Sequence, residues 1–302
     1  MFNKSFLMNK IISSLLKKNF QVLVSRGSFD IAAKREFTLL IKALTNIDGL
    51  NQEEAMSLRA ISYFLSAYPL VISLKSNRYF LRDGIIYSRF QLPVMTPSMF
   101  SKLLEEGIPH VRSVRGKHVV EINAEILRKR RKEMKISLKK LSKKIGISKK
   151  ALYEIEKKRV NPSLETVERL ESVLKINLKV PYELKKPSPV RLEPRNDFQK
   201  KVCMELLRIG VDNTSVYSAP FEIIGRERFS LITSLSRNGS KIKRNAQRLK
   251  GLSTFFSSRY VFIVKKLARK EGGVPVILES ELPEISSPKE LDKLIEEKIS
   301  KI

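Results

Sequence analysis

The stretch Ser137-Leu-Lys-Lys-Leu-Ser-Lys-Lys-Ile-Gly-Ile-Ser148-Lys-Lys-Ala-Leu-Tyr-Glu-Ile-Glu156 has the spacing of two short helices joined by a tight turn. Ser137 is a good N-cap, because its hydroxyl can accept from an amide of the first turn. Leu138, Leu141 and Ile145 follow at helical spacing and mark one buried face. Gly146 falls where the chain must reverse through a left-handed backbone, which a residue without Cβ adopts freely. Ile147 plugs the turn and Ser148 caps the next helix. That second helix is expected to bury Ala151, Leu152 and Ile155 and to leave Lys149, Lys150, Tyr153 and Glu154 free. Polar side chains at the exposed N-terminal end of such a helix can reach base edges in a major groove. The plainer alternative, an amphipathic hairpin with a solvated basic face, leaves the two caps and the glycine turn unexplained.

Charge points the same way. The 302 residues carry 59 Lys and Arg against 31 Asp and Glu, a net charge of +28. From Ile126 to Arg159 there are 15 basic and 3 acidic residues, so 34 residues hold +12 of that total. Such density is the footprint of phosphate binding with counterion release. A generally lysine-rich proteome would raise the total without concentrating it on the hairpin. An anionic membrane surface fits less well, since no long amphipathic basic helix is evident.

These residues resemble the helix-turn-helix of the phage-repressor class, the lambda repressor and Cro type. Leu127-Arg-Lys-Arg-Arg131 resembles the first helix of that domain, and Arg159 to Leu174, with Ser163 as cap, its loop and fourth helix. The resemblance implies a buried ion pair between Arg131 and Glu156. It implies that Lys149, Lys150 and Glu154 face bases, while Ser148, Lys157, Lys158 and Arg159 hold phosphates. Many members carry Gln directly after the cap of the second helix; here it is Leu138, and Lys139 and Lys140 are left to supply the charge there.

Other classes are bounded quickly. No run approaches 18 uncharged apolar residues, and polar residues interrupt the N-terminus too often for a signal peptide. Cys203 is the single cysteine, set on an apolar helix face with Phe198, Val202, Leu206 and Leu207 and expected to be core. A cytoplasmic chain without disulfides is the expectation. His110 and His118 are the only histidines and have no partner at ligand spacing, so neither zinc nor another cofactor is expected.

An internal repeat organises the rest. Phe29-Asp-Ile-Ala-Ala-Lys-Arg-Glu-Phe-Thr-Leu39 lines up without gaps on Phe221-Glu-Ile-Ile-Gly-Arg-Glu-Arg-Phe-Ser-Leu231. Leu58 to Ser66 matches Leu249 to Ser257 with the offset changed by one residue, and Pro97 to Glu106 matches Pro288 to Glu297 at that second offset. Each lobe reads as a helix (Ile11 to Lys18; Phe198 to Ile209), a strand (Gln21 to Ser25; Ser215 to Ser218) and a hairpin (Asp30 to Leu44; Glu222 to Leu235). A second helix follows (Gln52 to Ser66; Lys241 to Ser257), then a nearly continuous apolar strand (Leu70 to Leu74; Tyr260 to Val264) of the kind buried in a mixed or parallel sheet. Lys117 to Ile122 reads as one more short strand, and Lys185 to Pro194 as a proline-rich linker.

That order of elements resembles the PD-(D/E)xK nuclease core, as in archaeal Holliday-junction resolvases. Its chemistry needs two carboxylates on Mg²⁺ and a Lys two residues after the second of them. Asp30 and Lys42 stand at fitting positions, but the acid expected at position 40 is Leu40. Glu36 lies nearby in the hairpin turn, where it should face solvent. In the second lobe Glu222 could stand for the Asp, yet Ile232 and Ser234 occupy the other two places. A strand-end charge and a solvated lysine are the expected states of Asp30 and Lys42, with no catalytic residues.

The whole arrangement resembles an archaeal family of helix-turn-helix transcriptional regulators, which carry Phe-Asp-Ile (here Phe29 to Ile31) followed by Leu-Ile-Lys (Leu40 to Lys42) ahead of a phage-repressor-type reader. The expected fold is α+β or α/β, an all-α helix-turn-helix domain inserted between two repeated mixed α/β nuclease-like lobes. Its divisions would be a first lobe over 1–122, a reader over 123–182, a linker over 183–196 and a second lobe over 197–302. The resemblance implies a sequence-specific regulator of transcription, not an enzyme, that binds double-stranded DNA as a homodimer. A Mg²⁺-dependent structure-specific nuclease, and a protein that binds nucleic acid by charge alone, are the alternatives.

Overall fold

The computed structural model describes residues 3–105, 111–114, 117–240, 242–266 and 274–300. The chain divides into two compact units: Met1–Ser14 with Leu44–Ile47 and Val71–Leu184, and Leu15–Ala43 with Asp48–Leu70 and Lys185–Ile302.

The first lobe runs α1 (Lys4–Leu16), β1 (Gln21–Val24), β2 (Ile31–Lys34), β3 (Thr38–Asn46), α2 (Gln52–Phe64), β4 (Tyr68–Lys75), β5 (Tyr87–Arg89), β6 (Leu92–Met95) and α3 (Pro97–Glu105). A hairpin of β7 (Val111–Val114) and β8 (Lys117–Val120) leads to four helices, α4 (Ala124–Glu133), α5 (Leu138–Ile145), α6 (Lys149–Glu156) and α7 (Leu164–Leu174). The second lobe runs α8 (Asp197–Arg208), β9 (Asp212–Ser215), β10 (Ile223–Arg226), β11 (Ser230–Ser236), α9 (Ile242–Phe256), β12 (Arg259–Val264), β13 (Val276–Leu278) and α10 (Pro288–Ser300).

The repeat in sequence is a repeat in topology. The first sheet has the order β1-β2-β3-β4-β6-β5 and the second β9-β10-β11-β12-β13, so the first adds only the outer β5. In each, three antiparallel strands come first (β1, β2, β3; β9, β10, β11), and parallel pairing follows (β4 with β6; β11 with β12 and β12 with β13). Strands covered on both faces read as unbroken apolar runs, which is why Leu39 to Ile41 and Val261 to Val264 are fully buried without alternation. Leu7, Ile11 and Leu15 recur every fourth residue and form the buried stripe of α1.

Within the second unit, the two copies of the repeated hairpin and helix meet each other. Lys34 Nζ donates to the Phe255 carbonyl and lies 3.5 Å from Ser257 Oγ, while Arg226 Nη1 donates to Ser66 Oγ at 2.7 Å. Lys34 and Arg226 occupy the same place in the repeat, as do Ser66 and Ser257. The contacts are therefore reciprocal, the mark of a two-fold interface. Gly27, with φ of +128°, brings the chain against the second copy, where Ser28 N–H donates to the Ser218 carbonyl at 2.5 Å and Ser28 Oγ to Tyr217 O at 2.6 Å.

Several expectations shift. The first helix starts seven residues earlier than its apolar pattern at Ile11 suggests, and the second-copy helix begins at Ile242, Lys241 lying outside the described residues. The strand expected over Ser215 to Ser218 lies instead at Asp212–Ser215, and Ser218 adopts φ of +52°. Past Asp212 the side chains of β9 are polar yet buried: Asn213 Nδ2 donates to the Cys203 and Val211 carbonyls, and Thr214 Oγ1 accepts from Leu192 N–H. That same bond pins the proline-rich segment, whose Val190 and Leu192 are buried. Cys203 is core as expected, and burial pushes its thiol pKa up. Glu106, which ends one matched segment, and His110 lie outside the described residues.

Candidate nucleic-acid interface

The four-helix region is built as its sequence dictates. Ser137 Oγ accepts from Lys140 N–H, Ser148 Oγ from Ala151 N–H and Ser163 Oγ from Thr166 N–H, so α5, α6 and α7 are each capped by the side chain at their start. Gly146 is left-handed, at φ 72° and ψ 36°. Arg169 Nη1 donates to the Ile145 carbonyl at 3.1 Å and satisfies an acceptor that the end of α5 leaves open. The core joins Leu127, Leu141, Ile145, Leu152, Ile155 and Leu170, with Leu138 and Ile147 packed against it. Val120, Ile122 and Ile85 enter the same core from the preceding chain. Backbone bridges close it at the edge, Asn123 N–H to Leu178 O and Val180 N–H to Glu121 O.

Arg131 and Glu156 meet as a fork. Nε to Oε1 is 2.6 Å and Nη2 to Oε2 is 2.9 Å, while Nη1 donates to the Ile136 carbonyl at 3.0 Å. Both side chains are buried, and donating to the Glu156 carboxylate holds the Arg131 pKa above its ordinary value. This pair ties α4 to the last residue of α6 and so fixes the angle at which α6 is presented.

The expected site residues fall on one helix and its flanks. Lys149 and Lys150 are exposed in the first turn of α6, where Ser148 caps. Tyr153 is exposed one turn further on, with Lys157 Nζ 5.8 Å from its ring centroid. Glu154 is partly covered and lies 3.4 Å from Arg159 Nη1, so these two neutralise each other rather than standing free. Lys158 is also engaged: its Nζ reaches Glu125 at 2.8 Å, and that ammonium pulls the Glu125 pKa below the usual carboxylate value. Lys139 and Lys140 are exposed in the first turn of α5. Ala151, expected in the core, is exposed, because the Leu152 and Ile155 side of α6 alone faces inward. Sequence reading passed over Glu125 and Arg169, for neither a spacing rule nor an apolar pattern marks a residue that caps or pairs across elements.

The lobes place their acids differently from a metal site. Asp30 is buried and its Oδ2 accepts from Ala43 N–H at 2.9 Å. Glu222 does the same in the second copy, accepting from Leu235 N–H at 2.8 Å. Leu40 is fully buried in β3, and Glu36 is exposed beside Arg35. Lys42 is not solvated: it is buried, donates to Gly27 O at 2.5 Å and faces Glu54 Oε1 at 3.4 Å. Glu54, in the first turn of α2 and well beyond β3 in sequence, gave no signal because the nuclease spacing looks for the acid on β3. Among the described residues no group of three or more acidic, His or Cys side chains gathers as a metal would need. The donor set does not fit a hydrolytic Mg²⁺.

Among the described residues no helix is long and apolar enough to cross a membrane. Residues 4–110 match the family model of the PD-(D/E)XK superfamily domain, and residues 127–180 that of the helix-turn-helix. No solved structure matches the chain. Archaeal relatives match almost throughout under the provisional name of HTH-type transcriptional regulatory protein. One from Methanobrevibacter smithii is 29% identical over 99% of both chains. One from Pyrococcus horikoshii is 34% identical over 89% of each, and one from Thermococcus kodakarensis 32% identical over 90% of this chain and 88% of its own. With its helix-turn-helix set between two copies of a nuclease-like fold, this chain belongs to that archaeal family of HTH-type transcriptional regulatory proteins.

Proposed function

We propose that the protein regulates transcription by sequence-specific reading of duplex DNA, with α6 as the recognition helix. The observation that carries this reading is the exposed first turn of α6, where Lys149 and Lys150 project from a rigidly capped and cross-braced helix. Lysine donors at that end match the O6 and N7 acceptors of guanine. In this reading Lys149, Lys150, Tyr153 and Glu154 face base edges. Ser148, Lys157, Lys158, Arg159, Lys139 and Lys140 hold phosphates on either side, Lys158 exchanging Glu125 for the DNA backbone. Two copies occupy paired half-sites, since one small reader gives limited affinity. Because the lobe surfaces that meet within one chain are already filled, the copies would pair elsewhere.

The protein binds without cutting. Asp30 and Glu222 spend a carboxylate oxygen on a strand amide, and Leu40 replaces the second ligand. The decisive experiment selects a preferred duplex and compares two variants on it and on random DNA. Lys150→Ala should cost about 1–3 kcal/mol on the preferred site and relax its sequence preference, whereas Lys158→Ala weakens all sequences alike. Equal effects on both DNAs would sink the reading of bases. Cleavage of the same duplexes in Mg²⁺, lost in Asp30→Ala, would restore the nuclease.

A further inference from the structure

The basic stretch on the reader has an equal elsewhere. Between Arg228 and Lys270 there are 12 basic residues and no acidic one. The repeat supplies an internal control for this charge. Residues 230–266 hold nine basic and no acidic residues, while the matching residues 38–75 of the first copy hold three of each. The same fold thus carries both compositions, so the charge of the second copy is not a demand of the fold.

The charge converges in space. β11 and β12 run parallel, with Ser236 opposite Val264, so both end at one edge of the sheet. Arg237 follows the first end and Lys265 and Lys266 the second, and α9 begins at Ile242, six residues after β11 ends at Ser236. Backbone bonds hold the corner together, Lys265 N–H to Ser236 O and Lys266 N–H to Arg237 O. On α9, Lys243, Arg244, Gln247, Arg248 and Lys250 are all exposed, whereas Ile242, Asn245, Leu249 and Leu252 face the sheet. The outward arc of about 160° offers hydrogen-bond donors and no carboxylate. Like charges at Arg244 and Arg248 repel across one turn, and Lys243 and Arg244 oppose the positive end of the helix dipole. Intrinsic helix stability disfavours this pattern.

The matching face of the first copy has partners instead. There Glu53 pairs with Arg195 at 2.6 Å, and Ser57 Oγ accepts from Tyr217 N–H at 2.9 Å. Arg244 and Arg248 stand at the places of Glu53 and Ser57, and no ion pair or hydrogen bond engages either guanidinium among the described residues. Gly251 adds an independent sign. It sits within α9 directly after Lys250, one turn beyond Arg248, and a Cβ there would meet nothing within 4 Å. Glycine weakens a helix, and no described residue comes close enough to require it here; close approach of an external backbone would.

We infer that the outward face of α9, with Arg237 and Lys266 at the adjoining strand ends, is a second binding surface that grips the phosphate backbone of duplex DNA without reading sequence. Open α/β sheets bind ligands beyond the carboxyl ends of their parallel strands, and this corner is such a place. The inference rests on the proposal that the protein is a duplex-DNA binder, and it is tested apart from α6.

Full-length protein is compared with Lys243→Gln/Arg244→Gln/Arg248→Gln, changes on a solvated face to a good helix former. On random duplex, each lost phosphate contact lowers the slope of log affinity against log salt by about 0.9, so a drop of about 2–3 is expected. Lys149→Ala/Lys150→Ala/Lys158→Ala should keep a residual salt-dependent binding that the α9 changes then abolish. Acetylation of Lys243, Lys250 and Lys266 in the unaltered protein, read by mass spectrometry, should fall several-fold when duplex is added. An unchanged slope with unchanged acetylation overturns the α9 surface while leaving the reader intact. Wild-type binding to anionic vesicles or single-stranded RNA, but not to duplex, overturns the assignment of DNA as occupant. If the wild type binds random duplex but α6 changes never alter sequence preference, the reading of bases fails and the α9 surface stands.

Discussion

The two lobes share one topology and differ in how they fill its charged centre. In the first, Asp30, Lys42 and Glu54 lie buried or partly buried, with Lys42 bridging the Gly27 carbonyl and the Glu54 carboxylate. In the second, the three places hold Glu222, Ser234 and Asn245, and the lysine charge is gone. Ser234 Oγ donates to Glu222 Oε2 at 3.2 Å, and Asn245 Nδ2 donates to Pro220 O at 3.3 Å. What stays constant is one hydrogen bond: the acid after Phe29 or Phe221 accepts the backbone N–H of Ala43 or Leu235. An acid at that position therefore has a structural duty whether or not it ever binds metal. Its presence in a sequence is weak evidence for cleavage.

The comparison can be broken most forcefully where the lobes meet. Gly27 has φ of +128°, and a Cβ there would fall 1.9 Å from the Ser218 carbonyl oxygen. Gly27→Ala should cost about 4 kcal/mol, combining backbone strain with overpacking, whereas Ala219→Gly at the matching place should cost far less. Urea unfolding of both variants measures this, and similar losses would mean that the interface is not held at Gly27. Next comes the buried lysine. Lys42→Ala leaves Glu54 without its cation and should cost about 3 kcal/mol, against under about 1 kcal/mol for Ser234→Ala. Chemical denaturation reads both, and equal values would show that the first lobe gains nothing from its charge.

The shared hydrogen bond gives the middle effect. Asp30→Ala and Glu222→Ala each strand a strand amide and should cost about 2 kcal/mol apiece. A difference much beyond 1 kcal/mol would deny that the two acids do the same work. Least affected is the surface: Glu53→Ala removes a mostly exposed ion pair to Arg195 worth about 0.5 kcal/mol, and Arg244→Ala should leave thermal stability unchanged.

Legibility tracks how local the physics is. Helix caps and the turn glycine were open to reading because each depends on short spacings, whereas the Arg131–Glu156 pair joins residues far apart in sequence and was legible only through the family resemblance. The lobe order was readable too, since apolar runs of strand length stand out. β9 hid because Asn213, Thr214 and Ser215 are buried by hydrogen bonding and so break no polar pattern. β5, β6 and β13 are three or four residues long, and Pro93 interrupts β6. Burial of Lys42 could not be inferred at all, because its partners come from a turn and from a helix beyond the strand. The reader core also draws on Ile85, Val120 and Ile122, long-range packing that no window of sequence contains.

The reciprocal contact of Lys34 with Ser257 and of Arg226 with Ser66 has a consequence for how the halves can change. In an assembly of two identical chains, every substitution arrives twice and must suit both sides of the axis at once. Here the pairing is covalent, closed and independent of dilution, so each half accepts a substitution alone. That freedom allows an acidic helix beside its partner half and a basic one facing outward within a single architecture.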